Sequence, residues 1–376
     1  MPFQLKIPAR INILGNPADA NEGDFATISA AVDLYAHSTI ESADVIILEH
    51  LEKDTAGWKT LASQVFTPSQ IPLPYQGSLD LVKGGINRLW GFSSEFREKL
   101  PHKGFRFSVW TEVPRQSGLG GSTLFVLLTL GALRAFYDLD PRVHNDYVLS
   151  ELTQRVEAQE LGITCGFADR YVPLFGGLAY LDYHGKLHQK TLHEEPYVTY
   201  ERLDTWVEGL SLVAVSSGIQ HNSGDVHGQM RPRYVAEYDA WAATGGPTPP
   251  MVCYMSQAWE TAWRGKIALL QGDWQNFGRL MNENHHLVDA MMSYCGFADG
   301  AGWANNLLIQ TALENGALGA KLTGAGSGGS VFALVQPGTE NQLRRAWEQT
   351  IHTAELKNTQ IYQPKVVRQG LVIEKA

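Results

Sequence analysis

A glycine-rich turn between an alternating strand and a long apolar helix constrains this chain more than any other stretch. Phe105-Arg-Phe-Ser-Val-Trp110 alternates apolar and polar residues, as a half-buried strand does. Leu124 to Phe136 is apolar and free of proline, and reads as a largely buried helix. Between them runs Pro114-Arg-Gln-Ser-Gly-Leu-Gly-Gly-Ser-Thr123. Strand, glycine turn and helix together place Gly118, Gly120 and Gly121 at a helix N-terminus. Unpaired N–H groups and the positive end of the helix dipole favour an anion there. Ser122 is placed to cap the helix or to offer its hydroxyl to a phosphate-bound cation. A tight turn with a capped helix would use the same residues, so this stretch alone leaves both readings open.

At 376 residues the chain exceeds a typical single core, which predicts two domains. A net charge of −9 without a basic tract argues against nucleic acid as a partner. The N-terminus opens on strand-like Phe3-Gln-Leu-Lys-Ile7, unlike a signal peptide. The longest apolar run contains Gly131 and Arg134, and none reaches the ~20 residues that span a bilayer. Cys165, Cys253 and Cys295 are too sparse for a disulfide scaffold or a zinc site. A soluble, cytoplasmic protein without a membrane partner is the expectation.

In chain order, the first polar cluster is Arg10, Asn12, Asn16 and Asp19, in Pro8-Ala-Arg-Ile-Asn-Ile-Leu-Gly-Asn-Pro-Ala-Asp19. It sits where a strand runs into a turn, a place for a site or simply for a solvated surface. Ile28–Ile40 and Val45–Glu49 read as strands, then a polar connection through Pro68, Pro72 and Pro74 leads to an amphipathic helix over Leu79–Trp90. Helical periodicity covers Val143–Leu161 and stops at Gly162. Glu157 and Glu160 fall in its last turns, against the dipole, where a nearby cation would compensate. Asp169 falls on a short segment before a strand over Leu178–Tyr183, either as a buried carboxylate or as an ordinary turn residue.

Polar, aperiodic sequence around 186–205 marks an inter-domain region, predicting domains over 1–195 and 196–376. A strand over Leu212–Val215, a polar loop over Ser216–His227 and the triplet Arg231-Pro-Arg233 follow. Helical patterns then cover 252–270, 274–293 and 301–316. His285, His286 and Asp289 do not share one helix face and lack a third ligand nearby, so a metal site is not expected. Lys321-Leu-Thr-Gly-Ala-Gly-Ser-Gly-Gly-Ser330 matches G-x-G-x-x-G at Gly324, Gly326 and Gly329. A dinucleotide fold needs a helix after those glycines, whereas here a strand over Val331–Val335 follows, so that assignment fails. A helix over about 339–354 and strands over Tyr362–Val367 and Leu371–Ile373 close the chain.

Three glycine-bearing elements in this order resemble the GHMP small-molecule kinases, which include galactokinase and the homoserine, mevalonate and phosphomevalonate kinases. The matching motifs are Pro8-Ala-Arg-Ile-Asn-Ile-Leu-Gly15, Pro114-x3-Gly-Leu-Gly-Gly-Ser122 and Lys321-Leu-Thr-Gly-Ala-Gly-Ser-Gly-Gly329. The resemblance implies an α+β fold of two domains, an N-terminal α/β domain like that of a small-subunit ribosomal protein and a C-terminal ferredoxin-like α/β domain. It implies ATP and Mg²⁺ as cofactors, with Pro114, Ser117, Gly118, Leu119, Gly120, Gly121, Ser122, Thr123 and Gly326 around the nucleotide. Asp169, separated by six residues from Gly176-Gly177, is similar to the catalytic aspartate, with Arg10 beside it to keep it ionised. Glu157 and Ser122 resemble the metal-binding pair. Cys-Gly-Phe-Ala-Asp occurs at 165–169 and again at 295–299, but only the first copy has the upstream glutamate and the downstream Gly-Gly. Asp299 therefore reads as a chance echo or a turn.

Within the family, Gly15-Asn-Pro-Ala-Asp19, Pro114-Arg-Gln116, Asp169-Arg170 and Ser223-Gly-x-Val-His227-x3-Arg231-x-Arg233-Tyr234 look like the glucuronokinase type of sugar 1-kinase. That likeness implies a small sugar as partner, with Asn16, Asp19, Asp169, Arg115, Arg231 and Gly324 at the substrate and Arg115, Arg231 or Arg233 paired with a sugar carboxylate. Monomer and homodimer are both left open. The competing expectations are another substrate of the family (galactose, a heptose phosphate or a mevalonate-type acid) and a non-catalytic sugar and ATP sensor.

Overall fold

The computed structural model describes residues 2–21, 26–54, 57–114, 117–183, 198–220 and 223–376. Two sheets and their helices make an α+β fold. The first sheet begins with β1 (Phe3–Leu14) and β2 (Ala26–Ala43), paired antiparallel with register shifts between Pro8 and Ala9 and between Asn12 and Leu14. From Ile7 onward every residue of β1 is buried, so the strand reads as a continuous apolar run broken by Arg10 and Asn12. Polar side chains in such a place need partners, and both have them in the site described below.

A hairpin of β3 (Ile46–Asp54) and β4 (Gly57–Phe66) follows. The β4 strand stands where a polar connection was expected. It lies at the sheet edge and is largely exposed, so its sequence carries no buried alternation to betray it. Helices α1 (Asp80–Phe92) and α2 (Ser94–Lys99) lead to β5 (Gly104–Thr111), which pairs parallel with β3 and antiparallel with β2. Helix α3 (Gly121–Phe136) packs on α1, β1 and β2, burying every residue from Thr123 to Leu133.

The helix expected over 143–161 is two pieces, α4 (Asp146–Arg155) and a π-helical turn over Val156–Glu160. Such turns shift the register of the following side chains and recur at functional sites. Asp169, expected on an irregular segment, sits in the first turn of α5 (Ala168–Phe175), a helix that tolerates Pro173 near its end. Strands β6 (Leu178–Asp182) and β7 (Thr199–Arg202) complete this half, with β6 also hydrogen-bonded to β2.

The second sheet is four-stranded and antiparallel. It contains β8 (Leu212–Ser216), β9 (Gly319–Thr323), β10 (Ser330–Leu334) and β11 (Gln360–Tyr362), in the order β11-β8-β10-β9. Helices α6 (Ser223–Thr244), α7 (Pro250–Leu270), α8 (Trp274–Tyr294), α9 (Trp303–Glu314) and α10 (Glu340–Thr353) belong to this half. Helix α6 starts inside the stretch expected to be a polar loop and carries Pro232 within it, which masked its periodicity. The strand expected over 362–367 is shorter; beyond Tyr362 only a bridge from Val366 to Val32 is made. The last strand, β12 (Val372–Lys375), returns to the first sheet and pairs with β1. A cut at 195/196 would therefore leave both β7 and β12 hydrogen-bonded into the first sheet from beyond it.

Candidate active site

The turn before α3 is built by contact with the turn between β9 and β10. Gly118 has φ +74° and lies so near the second turn that a Cβ there would come 2.4 Å from the Thr323 carbonyl oxygen. Only glycine fits both the conformation and the space. Gly120, at φ +80°, precedes the helix and lies against the Arg10 guanidinium. The first N–H groups of α3 open toward a cavity of about 790 Å³. The Ser117 hydroxyl on the same wall is buried and has no hydrogen-bond partner among the described residues. A ligand oxygen would satisfy it.

Asp169 faces this turn across the cavity. Its Oδ1 accepts from Arg10 Nε at 2.7 Å and from Asn12 Nδ2 at 3.1 Å, and its Oδ2 meets Arg10 Nη2 at 2.5 Å. Arg10 Nη1 donates to the Gly118 carbonyl at 2.6 Å, so one guanidinium ties the carboxylate to the glycine turn. Asn12 is set by Ser29, whose hydroxyl donates to Asn12 Oδ1 at 2.8 Å. Burial pushes the Asp169 carboxyl up, but the charge and hydrogen bonds of Arg10 and the Asn12 amide outweigh it and hold the group below its usual range.

Glu157 is buried on the π-helical turn and accepts from two hydroxyls. Ser122 Oγ donates at 3.0 Å and Thr123 Oγ1 at 3.0 Å. Burial and then the charge of Asp169 raise its carboxyl above the ordinary value, against the lowering effect of the two hydroxyls. A divalent cation would remove that penalty, and Ser122 with Glu157 offers the hard oxygen donors Mg²⁺ takes. Among the described residues no cluster of three or more His, Cys, Asp or Glu is placed to hold a metal, so phosphate and water oxygens would have to complete the shell.

At the far side of Asp169 lie Asn16 and Asp19. Asp19 accepts from the Ala168 N–H at 3.0 Å, and burial followed by the Asp169 charge raises its carboxyl to about 6. Asn16 is held by Lys321, whose Nζ donates to Asn16 Oδ1 at 2.7 Å, and by Asn284, whose Nδ2 donates to its carbonyl at 3.2 Å. Lys321 is fully buried, and burial lowers its ammonium to about 7. It went unassigned in the sequence, although a lysine inside an apolar strand is itself a signal.

Of the residues singled out in the sequence, Arg10, Asn16, Asp19, Pro114, Ser117, Gly118, Gly120, Gly121, Ser122, Thr123, Glu157, Asp169 and Gly324 all line the one cavity. Leu119 is buried in the core beneath it, and Gly326 packs against Met292. Arg115 lies outside the described residues. Arg231 is not among the lining residues, and Arg233 is exposed, donating to the Tyr294 carbonyl at 2.8 Å and to Glu237. The first Cys-Gly-Phe-Ala-Asp copy contributes Cys165, Gly166 and Asp169 to the cavity, whereas Asp299 borders a separate one of about 280 Å³. His285 is buried and bonded to Asn306. Residues given no site role from the sequence close the two ends of the cavity, although Ser223, Gly224 and His227 belong to the glucuronokinase-like motif. His50, Leu81, Val113 and Phe125 form an apolar end, and Ser223, Gly224 and His227 approach from α6 with Gln220 before it.

Comparison with known proteins agrees with this architecture. Residues 87–177 match the family model for the GHMP kinases N terminal domain, and residues 304–352 match that for the GHMP kinases C terminal region. Probable glucuronokinase 2 of Arabidopsis thaliana is 29% identical over 347 residues, covering 89% of this chain and 85% of the plant protein. The galactokinase of Pyrococcus furiosus is 27% identical, covering 88% of each chain. The crystal structure of Lactococcus lactis galactokinase complexed with galactose superposes with a TM-score of 0.75 at 20% identity, covering 99% of this chain and 95% of the other.

Proposed function

We propose that this chain, which matches both the N-terminal and the C-terminal family models of the GHMP kinases, transfers the terminal phosphoryl group of ATP to the anomeric hydroxyl of a sugar, a uronic acid being the favoured class. The observation that carries this is the bidentate hold of Arg10 on Asp169, which faces the glycine turn and the Ser122–Glu157 pair across one cavity.

Phosphoryl transfer depends on positioning and charge neutralisation more than on covalent chemistry. The N–H groups at the start of α3, with the Ser117 hydroxyl, would seat the phosphates. Mg²⁺ held by Ser122 and Glu157 would neutralise charge on them. Asp169, kept ionised by Arg10, would accept or orient the proton of the attacking hydroxyl, a contribution of roughly 10²–10⁴ in rate. Asn16 and Asp19 lie where the remaining sugar hydroxyls would be held. The preference for a uronic acid rests on the likeness to the glucuronokinases and their shared motifs.

The test is a panel of uronic acids, neutral hexoses, a heptose phosphate and mevalonate, assayed for ADP release, with phosphorus NMR locating the new ester. Asp169→Asn should abolish turnover and leave ADP binding intact. An intact chain that turns over none of these acceptors would remove the proposal.

A further inference from the structure

The charge balance of the cavity raises a question that the uronic acid reading must answer. Its described lining carries three carboxylates, Asp19, Glu157 and Asp169, against a single guanidinium, Arg10. All three nitrogens of that guanidinium are already hydrogen-bonded, two to Asp169 and one to the Gly118 carbonyl. A substrate carboxylate entering beside Asp19 and Asp169 adds a further negative charge in a largely buried site. Such a group binds only where a cation or several donors meet it. The arginines with the right chemistry are elsewhere: Arg231 is off the cavity wall and Arg233 is committed to Tyr294 and Glu237.

One side chain stands in the right place. His227 lies on the second turn of α6, is 6% exposed and lines the cavity with Gln220, Ser223 and Gly224. It is near enough to Asp169 for its positive form to lower that carboxyl. Helix α6 packs on the turn Ala18–Asn21 that carries Asp19, which places His227 on the sugar side of the catalytic carboxylate. The other lining histidine, His50, packs edge-on against Phe125 at 5.2 Å in the apolar end.

Resting on the function proposed above, we infer that His227 is the specificity-determining residue that receives the carboxylate of an acidic sugar. The imidazolium offers a ring N–H to the carboxylate and offsets its charge. A neutral hexose, with a hydroxymethyl group in that place, gains nothing from the cation.

The experiment compares wild type with His227→Gln and His227→Asn, using the full chain with ATP and Mg²⁺. A hexuronic acid and the matching neutral hexose serve as acceptors, and thermal stabilisation by ADP certifies that each variant is folded. The expected result is a loss of at least tenfold in kcat/KM for the uronic acid, carried mainly by KM, with the neutral hexose within about twofold of wild type. Equal losses on both acceptors overturn the role of His227 while leaving the kinase reading in place. A wild type active on neutral sugars but not on the uronic acid overturns the role and the uronic acid reading together.

Discussion

The guanidinium of Arg10 grips Asp169 at two points, Nε to Oδ1 at 2.7 Å and Nη2 to Oδ2 at 2.5 Å, while its third nitrogen holds the Gly118 carbonyl. The Asp169 carboxylate and the glycine turn before α3 thus share one positive group. Asp169 sits below its usual range, so its ionised form persists as pH falls and is lost only through that depressed value. Replacing Arg10 with methionine should raise the acid limb of the kcat/KM profile and lower the plateau by about 10²-fold or more. A profile with an unmoved acid limb would refute the assignment.

Glu157→Gln should separate metal affinity from stability. The Glu157 carboxyl is raised by burial, so the folded chain holds its proton above the unfolded value of 4.5. Without metal, this group costs stability as pH rises beyond that value. The glutamine variant should therefore melt at or above wild type near neutral pH without Mg²⁺, with the gap closing toward acid. It should also need at least tenfold more Mg²⁺ for half-maximal activity. Calorimetry without metal and a Mg²⁺ titration of the rate read the two effects independently.

Asp19 predicts a pH dependence in sugar binding. Its carboxyl is raised from 3.8 to about 6, first by burial and then by Asp169, so it ionises on crossing that value. In its proposed role as acceptor for sugar hydroxyls it would work best ionised, so KM for the sugar should fall as pH rises through about 6. Asp19→Asn should flatten that trend and weaken sugar binding by about tenfold or more, leaving KM for ATP within twofold. The linked stability effect has the opposite sign: the apo protein loses this group's contribution between about 3.8 and 6 as pH rises.

Gly118→Ala tests the contact between the two glycine turns. The φ of +74° alone costs an L-residue roughly 1–3 kcal/mol, and the added carbon would stand 2.4 Å from Thr323. The variant should lose several degrees of melting temperature and bind ATP at least tenfold more weakly. Alanine at exposed Gly91, which has open space around it, is the control and should cost far less.

What the sequence made legible is what local chemistry writes plainly. The turn at 117–122, the Arg10–Asn12 strand end and the carboxylates at 157 and 169 stand out because glycines and charges interrupt apolar strands and helices. Their convergence follows from sheet pairings with no local signal, such as Asn12 donating its N–H to Thr323 Oγ1 at 3.1 Å across the two halves. The exposed edge strand β4 and the proline-bearing α6 went unrecognised for related reasons, since neither shows the periodicity that burial imposes. Without that periodicity His227 reads as a loop residue, and the downstream Arg231 and Arg233 read as carboxylate partners although neither lines the cavity.

The pairing of β12 with β1 has a consequence for how the polypeptide matures. The strand carrying Arg10 and Asn12 acquires its outer neighbour only after the elements between them have been synthesised, because β12 follows them in the chain. During translation that flank of the nascent sheet stands bare, a template for misplaced strands. A fragment ending after the first half would keep Asp169 and its Arg10 clamp on a platform missing its final plank, prone to stick to its neighbours.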